Sequence, residues 1–251
     1  MLAKLLKTRR LPVFRPAVPD GQRVYAIGDV HGCLSELDRL LDMVDADDAR
    51  RDRARTSIVF LGDLVDRGPA SAQVMERVRR LQAERTNVRC LAGNHEEVFL
   101  HALDGEEKAL RLFCRIGGRE TALSYGISEA EYERAGYPEL AEALQRLVPA
   151  EHRDFLRSME DTVTIGDYLF VHAGVRPERA LDDQRPSDLR WIRDTFLDHD
   201  RPLGKMVIHG HTIADEVDRR AHRIGIDTGA FATGRLTALA LETDLHWSIQ
   251  T

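Results

Sequence analysis

One layout recurs three times in the first hundred residues: an apolar, largely β-branched run, then glycine, then a short acidic or amide residue. The three copies are Val24-Tyr25-Ala26-Ile27-Gly28-Asp29, Ile58-Val59-Phe60-Leu61-Gly62-Asp63 and Val88-Arg89-Cys90-Leu91-Ala92-Gly93-Asn94. Such runs predict buried strands, and the glycine lets the backbone turn tightly or approach a ligand. Between them the apolar period changes to that of a helix. Leu34, Leu37, Leu40, Leu41 and Val44 form one stripe; Val74, Val78 and Leu81 form another, with Pro69 suited to the first turn. Strand, helix, strand, helix, strand implies parallel pairing through right-handed crossovers. Ligands of such sheets gather at the carboxyl ends of the strands, so Asp29, Asp63 and Asn94 are expected to converge on one edge.

Residues 97 to about 160 predict helices, with Leu110 and Phe113 on one and Leu144, Leu147 and Val148 on another that Pro149 interrupts. This block either caps a site or packs beside it. Strands return at Val163-Thr164-Ile165 and Tyr168-Leu169-Phe170-Val171, which flank the two-residue hairpin signal Gly166-Asp167 and lead into His172. A short helix is expected around Asp188 to Leu197. Met206-Val207-Ile208 is a strand ending in His209-Gly210-His211, and Ile224 to Asp227 and Leu236 to Leu241 supply more strands. So many strands and turns imply two packed sheets with helices outside, an α/β sandwich. Residues 21–251 are expected to form a single domain, preceded by a flexible basic tail over 1–20.

The totals narrow the field. The 251 residues are 43% hydrophobic and 31% charged, a globular composition. With 36 basic against 42 acidic residues the net charge is −6, which argues against a dedicated nucleic-acid binder. No apolar run approaches the ~20 residues that span a bilayer, and the basic start lacks the apolar core of a secretory signal. Cys33, Cys90 and Cys114 are odd in number and form no C-x-x-C pair, the pattern of reduced thiols in a cytoplasmic protein.

Candidate chemistry sits at the strand ends. Asp29 and His31 lie two apart, and in an extended segment both would point to one ion. Asp63 offers two oxygens and can bridge two cations; Asn94 adds a neutral oxygen, His172 and His211 imidazole nitrogens. Mixed oxygen and nitrogen donors without thiolate suit manganese, iron, magnesium or zinc. Two cations roughly 3.5–4 Å apart offset the repulsion between a phosphate dianion and its nucleophile and acidify water toward pKa ~7.

The motifs Gly28-Asp29-Val30-His31-Gly32, Gly62-Asp63-Leu64-Val65-Asp66-Arg67-Gly68, Gly93-Asn94-His95-Glu96, His172-Ala173-Gly174 and Gly210-His211-Thr212 resemble, in order, those of the phosphoprotein phosphatase family of calcineurin-like metallophosphoesterases. Ile226-Asp227-Thr228-Gly229-Ala230 with Leu236-Thr237 resembles its small bacterial and phage branch, including the phage lambda phosphatase. The resemblance implies a four-layer α/β fold. It places Asp29, His31 and Asp63 around one metal and Asp63, Asn94, His172 and His211 around the other, with Asp63 bridging. It makes His95 the general acid, Asp66 the carboxylate that orients it, and Arg67 and Arg193 the phosphate-gripping arginines. Arg193 is assigned from Trp191-Ile192-Arg193, although Arg190 is a competing choice. His209 lies on the wrong side of Gly210 for the Gly-His-x-His pattern of phosphodiesterases and is read as supporting or structural.

The cofactor expected is a pair of divalent cations, manganese first, with iron or zinc as alternatives. The expected activity is hydrolysis of phosphoserine or phosphothreonine, with phosphotyrosine as an extension, in proteins or peptides, and of small phosphate esters in vitro. Symmetrical bis(5'-nucleosyl)-tetraphosphatase is the first alternative; those enzymes typically resemble Gly-Asp-Leu-Val-Ala-Arg-Gly and Gly-Asn-His-Asp, where this chain has Asp66 and Glu96. A catalytically inactive binding module is the second, although no motif residue is missing.

Overall fold

The structure, a computed structural model, describes residues 15–251. Its ten strands form two five-stranded sheets. The first sheet contains β1 (Gln22–Ile27), β2 (Arg55–Phe60) and β3 (Val88–Cys90), all parallel, extended on the β1 side by antiparallel β9 (Thr237–Glu242) and β10 (Leu245–Gln250). The second contains β4 (Thr162–Ile165), β5 (Tyr168–Val171), β6 (Met206–His209), β7 (Asp218–Arg219) and β8 (Arg223–Gly225), in the order β4-β5-β6-β8-β7. Strands β5, β6 and β8 are parallel.

The period-2 alternation of each strand assigns its faces. Val24 and Ala26 of β1 and Val59 of β2 join Tyr168, Phe170, Ile208 and Ile224 in a core between the sheets. The alternate residues Tyr25, Ile27, Ile58 and Phe60 face outward into a larger core against helices. That core is covered by α1 (Leu34–Ala49), α2 (Ser71–Glu84), α3 (Asn94–Leu103), α4 (Glu107–Ile116), α5 (Gly118–Ser124), α6 (Glu129–Arg134), α7 (Tyr137–Leu147) and α8 (Ala150–Ser158). On the far side, Leu169, Val171 and Val207 pack under α9 (Pro186–Trp191) and α10 (Asp194–Leu197) through Leu189, Ile192 and Phe196. A last short helix, α11 (Ala230–Thr233), follows β8. Each fully buried Leu or Phe in these layers contributes on the order of 1.5–3 kcal/mol. The layers, helix on sheet on sheet on helix, are those expected.

Register sets the level of the site. Ile27 lies opposite Phe60, and Phe60 opposite Cys90, so the loops bearing Asp29, Asp63 and Asn94 leave the first sheet together. Phe170, Ile208 and Ile224 are likewise in register, which brings out the loops bearing His172, His211 and Asp227 at one level.

The structure corrects some local expectations. Pro69 lies outside α2, which begins at Ser71 after an Ala70 cap. The helix expected over Asp188–Leu197 is broken in two at Ile192–Arg193. Strand β10 carried no clear apolar run; it forms because Trp247 and Ile249 can cover the first core from its edge. Residues 1–14 of the expected tail lie outside the described residues. The rest of it docks on the body: Val18 is buried and its N–H donates to the Thr243 carbonyl (2.8 Å), while the Asp167 N–H donates to the Ala17 carbonyl (3.0 Å).

Candidate metal centre

Backbone strain marks the site. Among the described residues six non-glycine positions have φ in the left-handed region, and five of them are His31 (45°), Asp63 (50°), Asp66 (71°), Arg67 (67°) and His211 (65°). Such conformations persist only where surrounding contacts impose them. They also correct the expectation that an extended segment presents Asp29 and His31. The Asp29–His31 segment is not extended: the Asp29 carboxylate accepts the His211 N–H (3.0 and 3.2 Å), whereas His31 turns to Asp63. The motif glycines provide room for the carboxylates, since a Cβ on Gly93 would meet Asp63 Oδ1 at 2.1 Å and one on Gly210 would meet Asp29 Oδ1 at 2.0 Å.

Asp63 is the centre. His31 Nε2 lies 3.5 Å from its Oδ2, and His172 Nε2 lies 3.4 Å from its Oδ1. Asp63 thus belongs to two groups of candidate ligands, one with His31 and His95 and one with His172 and His211, the ligand atoms of each group lying within 4.8 Å of one another. Asn94 joins the second group, its Oδ1 3.0 Å from His172 Nε2. Asp29 lies outside both groups. The N-terminus of α3 steadies Asp63 through the His95 N–H (3.1 Å). Glu96, a motif residue given no role from sequence, holds the strained loop. Its buried carboxylate accepts the N–H groups of Asp63 (2.7 Å), Leu64 (2.7 Å), Val65 (3.2 Å) and Gly93 (2.9 Å).

The histidines are oriented from behind. His31 Nδ1–H donates to the Val65 carbonyl (2.7 Å) and His172 Nδ1–H to that of Leu61 (2.8 Å). Each Nε2 therefore carries its lone pair toward Asp63. His31 Nε2 and His211 Nε2 are buried without hydrogen-bond partners, and His211 Nδ1 lies 3.1 Å from His172 Nε2. The Nε2 lone pairs of His31 and His172 converge on the two oxygens of Asp63, an arrangement that a cation on either side of the carboxylate would satisfy.

The electrostatics agree. Burial pushes the carboxyls of Asp29, Asp63 and Asp227 above their ordinary range, with the charges of the other two adding to the rise at Asp29. Burial lowers His31, takes His172 down to about 4 and His211 to about 2, so the imidazoles are neutral ligands. Acids that resist losing protons beside bases that resist gaining them describe a pocket suited to cations. Asp227 was given no role from sequence, yet Ile224-Gly225-Ile226-Asp227 repeats the apolar-run-to-acid layout of the other strand ends.

Beside the cluster stands a proton-handling pair. His95 Nδ1–H donates to Asp66 Oδ2 (2.7 Å), and Arg67 Nη2 donates to His95 Nε2 (3.1 Å). Burial opposes a charged His95, but the Asp63 and Asp66 carboxylates outweigh it and hold the imidazole above its ordinary pKa. The helical block reaches this pair. Thr121 of α5 donates from Oγ1 to Asp66 Oδ1 (2.6 Å) and accepts the Asp66 N–H (2.8 Å), and the Arg67 N–H donates to the Gly117 carbonyl (3.0 Å).

The arginine alternatives separate. Arg190 is paired with Asp161 (2.6 Å) and Glu97 (3.3 Å), whereas exposed Arg193 reaches Thr212 Oγ1 (3.4 Å), beside His211, and depresses the His211 pKa by its charge. His209 turns away from the cluster: its Nε2 accepts from Arg223 Nη1 (3.3 Å) and its ring meets Phe196.

No described helix is long and apolar enough to cross a membrane. The symmetrical bis(5'-nucleosyl)-tetraphosphatase of Methylococcus capsulatus is 32% identical over 61% of this chain and 44% of its own length. That of Paracidovorax citrulli is 34% identical over 70% of this chain and 48% of its own. The chain thus spans about half the length of these curated relatives. The asymmetrical bis(5'-nucleosyl)-tetraphosphatase PrpE of Anoxybacillus flavithermus is 27% identical over 85% of this chain and 88% of its own length. Among solved structures, a protein provisionally assigned as a diadenosine tetraphosphatase aligns with TM-score 0.61 and 21% identity over 94% of this chain and 98% of its own. The cold-active protein tyrosine phosphatase of a psychrophilic Shewanella aligns with TM-score 0.55 and 18% identity over 93% and 83%. These two likenesses establish the fold. The sequence profile of the calcineurin-like phosphoesterases matches residues 22–228, and with the strand-end cluster of aspartates and histidines it shows that the chain belongs to that family of metal-dependent phosphate-ester hydrolases.

Proposed function

We propose that this chain is a binuclear-metal hydrolase of dinucleoside tetraphosphates. The observation that supports the binuclear reading is Asp63, one buried carboxylate whose Oδ2 faces His31 and whose Oδ1 faces His172. The substrate class rests on the tetraphosphatase names of the sequence relatives, and it reverses the preference for phosphoproteins that Asp66 and Glu96 suggested from sequence.

Asp29, His31 and Asp63 would hold one cation, and Asp63, Asn94, His172 and His211 the other. A carboxylate has about four lone-pair positions, so Asp29 can keep the His211 amide and still ligate. Two divalent cations there, manganese by our reading, with iron or zinc as alternatives, supply neutralising charge and an acidified water. Arg67 and Arg193 then grip phosphate oxygens. With Arg67 turned from His95 Nε2 to the phosphate, that nitrogen is free to carry a proton and give it to the leaving oxygen, while Asp66 keeps Nδ1–H in place and favours the charged imidazole.

A second reading, phosphomonoester hydrolysis on proteins, is favoured by the His95–Asp66 bond. An alkoxide leaves poorly without a proton, whereas a phosphate leaving group needs that help less. The deciding experiment compares diadenosine tetraphosphate with a phosphoserine peptide on the purified protein under manganese, iron and zinc. We expect higher kcat/KM on the tetraphosphate, with ATP plus AMP or two ADP as products. Faster release of phosphate from the peptide would establish the second reading instead.

A further inference from the structure

Four large hydrophobic side chains are exposed among the described residues, and three of them stand on elements that border the metal centre: Trp191 (36% exposed), Ile213 (48%) and Phe231 (38%). Trp191 is tied by its Nε1–H to Glu97 (3.2 Å). Phe231 is placed differently. The Arg67 guanidinium carbon lies 4.8 Å from its ring centroid, and the His31 ring meets it edge-on with centroids 5.4 Å apart. One exposed aromatic is ordinary on a protein surface. One that touches both a candidate phosphate-gripping arginine and a candidate metal ligand lies where the organic part of a bound phosphate compound must pass.

The loop bearing Phe231 is braced. The Thr228 hydroxyl donates to the Arg235 carbonyl (2.7 Å), the Thr233 hydroxyl to the Thr228 carbonyl (2.9 Å), and the Gly229 N–H to Asp227 Oδ1 (2.9 Å). The neighbouring rim loop is joined to it by the Ala214 N–H donating to the Asp227 carbonyl (3.0 Å). Ile213 lies against Gly229, where an added Cβ would meet Ile213 Cγ2 at 3.1 Å. The backbone that carries the ring is therefore braced before any substrate arrives, which lowers the entropic cost of using it.

We infer that Phe231, flanked by Ile213, forms a subsite for a planar aromatic group carried by the substrate, a nucleobase or the ring of an aryl ester, while Arg67 beneath it holds the phosphate. An aromatic ring stacks on any flat π-face with little sequence or substituent preference. The inference rests on the phosphohydrolase reading of the same centre.

The test measures kcat/KM of wild type, Phe231→Ala and Phe231→Trp with manganese on diadenosine tetraphosphate and on p-nitrophenyl phosphate. Competitive inhibition by inorganic phosphate serves as the ring-free probe. For Phe231→Ala we expect kcat/KM to fall about 10-fold on at least one aromatic substrate while the inhibition constant of phosphate stays within about two-fold, and Phe231→Trp to restore the loss. A loss confined to the tetraphosphate identifies the nucleobase as occupant, and one confined to the nitrophenyl ester identifies the aryl ring. Equal losses for phosphate and both substrates would mean that Phe231 acts through Arg67, and unchanged kcat/KM on both that it touches no substrate; either overturns the subsite alone. A wild-type protein that hydrolyses neither compound overturns the hydrolase reading with it.

Discussion

Strand β1 has a buried charge cluster near each end, and the two are resolved in opposite ways. At the amino end, Arg23 is 1% exposed and fully partnered from within the chain. It donates to Glu242 (2.8 and 3.1 Å), to Asp48 Oδ1 (2.6 Å) and to the Asp52 carbonyl (2.8 Å), and these acids raise its already high pKa. At the carboxyl end, Asp29, Asp63 and Asp227 share a pocket with neutral imidazoles, and burial pushes their carboxyls upward. The same sheet therefore separates a self-neutralised cluster that supports folding from one whose neutralising charge is left to a ligand. A buried polar group with its partners in the chain is structural. One that lacks them lowers stability and is kept for chemistry.

The sharpest way to test that division is to exchange the consequences. Asp63→Asn should lower turnover by more than the ~10–100-fold that follows loss of a group one step removed from a metal, because both halves of the centre share its oxygens. Its thermal midpoint without added metal should stay level or rise, because a buried charge has been removed. A steady-state assay paired with a melting curve checks both, and undiminished turnover would sink the shared-carboxylate arrangement. Arg23→Met should do the reverse. It should cost about 3 kcal/mol of folding stability, the low end for a broken buried pair, since Asp48 and Glu242 retain some solvent contact. Its kcat per folded molecule should be unchanged. Denaturant titration with activity normalised to folded protein measures this.

Added cation should sharpen the contrast from the other side. Manganese at 100 times its dissociation constant should stabilise the protein by about 2.7 kcal/mol. The sign with pH follows from the raised carboxyls. Their contribution to the metal-free fold is present below the ordinary carboxylate value and is lost as pH rises through their raised values. Protons and cations compete for the same oxygens, so the manganese-induced rise in Tm should shrink as pH falls through that window. Calorimetry at several pH values would show it, and a rise that grows on acidification would contradict the assignment. The smallest effect is expected at Thr121→Val, which removes two hydrogen bonds to Asp66 without touching substrate. We expect about a 10-fold loss of kcat on an alkyl phosphate, a smaller loss on p-nitrophenyl phosphate, whose leaving group needs less protonation, and an unchanged KM. Equal losses on both would mean that Thr121 serves only the fold.

The helical block shows where sequence reading ran out. Leu110, Phe113 and Leu144 identified helices by their own period, but nothing in that period shows that α5 touches Asp66 and Arg67 through Thr121 and Gly117. Glu96 had a legible neighbour sequence and an illegible job, because three of the four amides it binds belong to the distant loop after β2. Asp227 could have been found from the strand-end layout it shares with Asp29 and Asp63.

His209 and His211 state the division most directly. Their spacing alone would turn both the same way in an extended chain. The left-handed backbone at His211, imposed by its N–H bond to Asp29, sends it into the cluster while His209 packs on Arg223 and Phe196. The sequence by itself determined the buried strands, the two-sheet core and the glycine-acid ends, because apolar period and glycine freedom are local properties. The tertiary structure alone decided which side chains face one another, because strained dihedrals and buried carboxylates exist only where distant segments hold them.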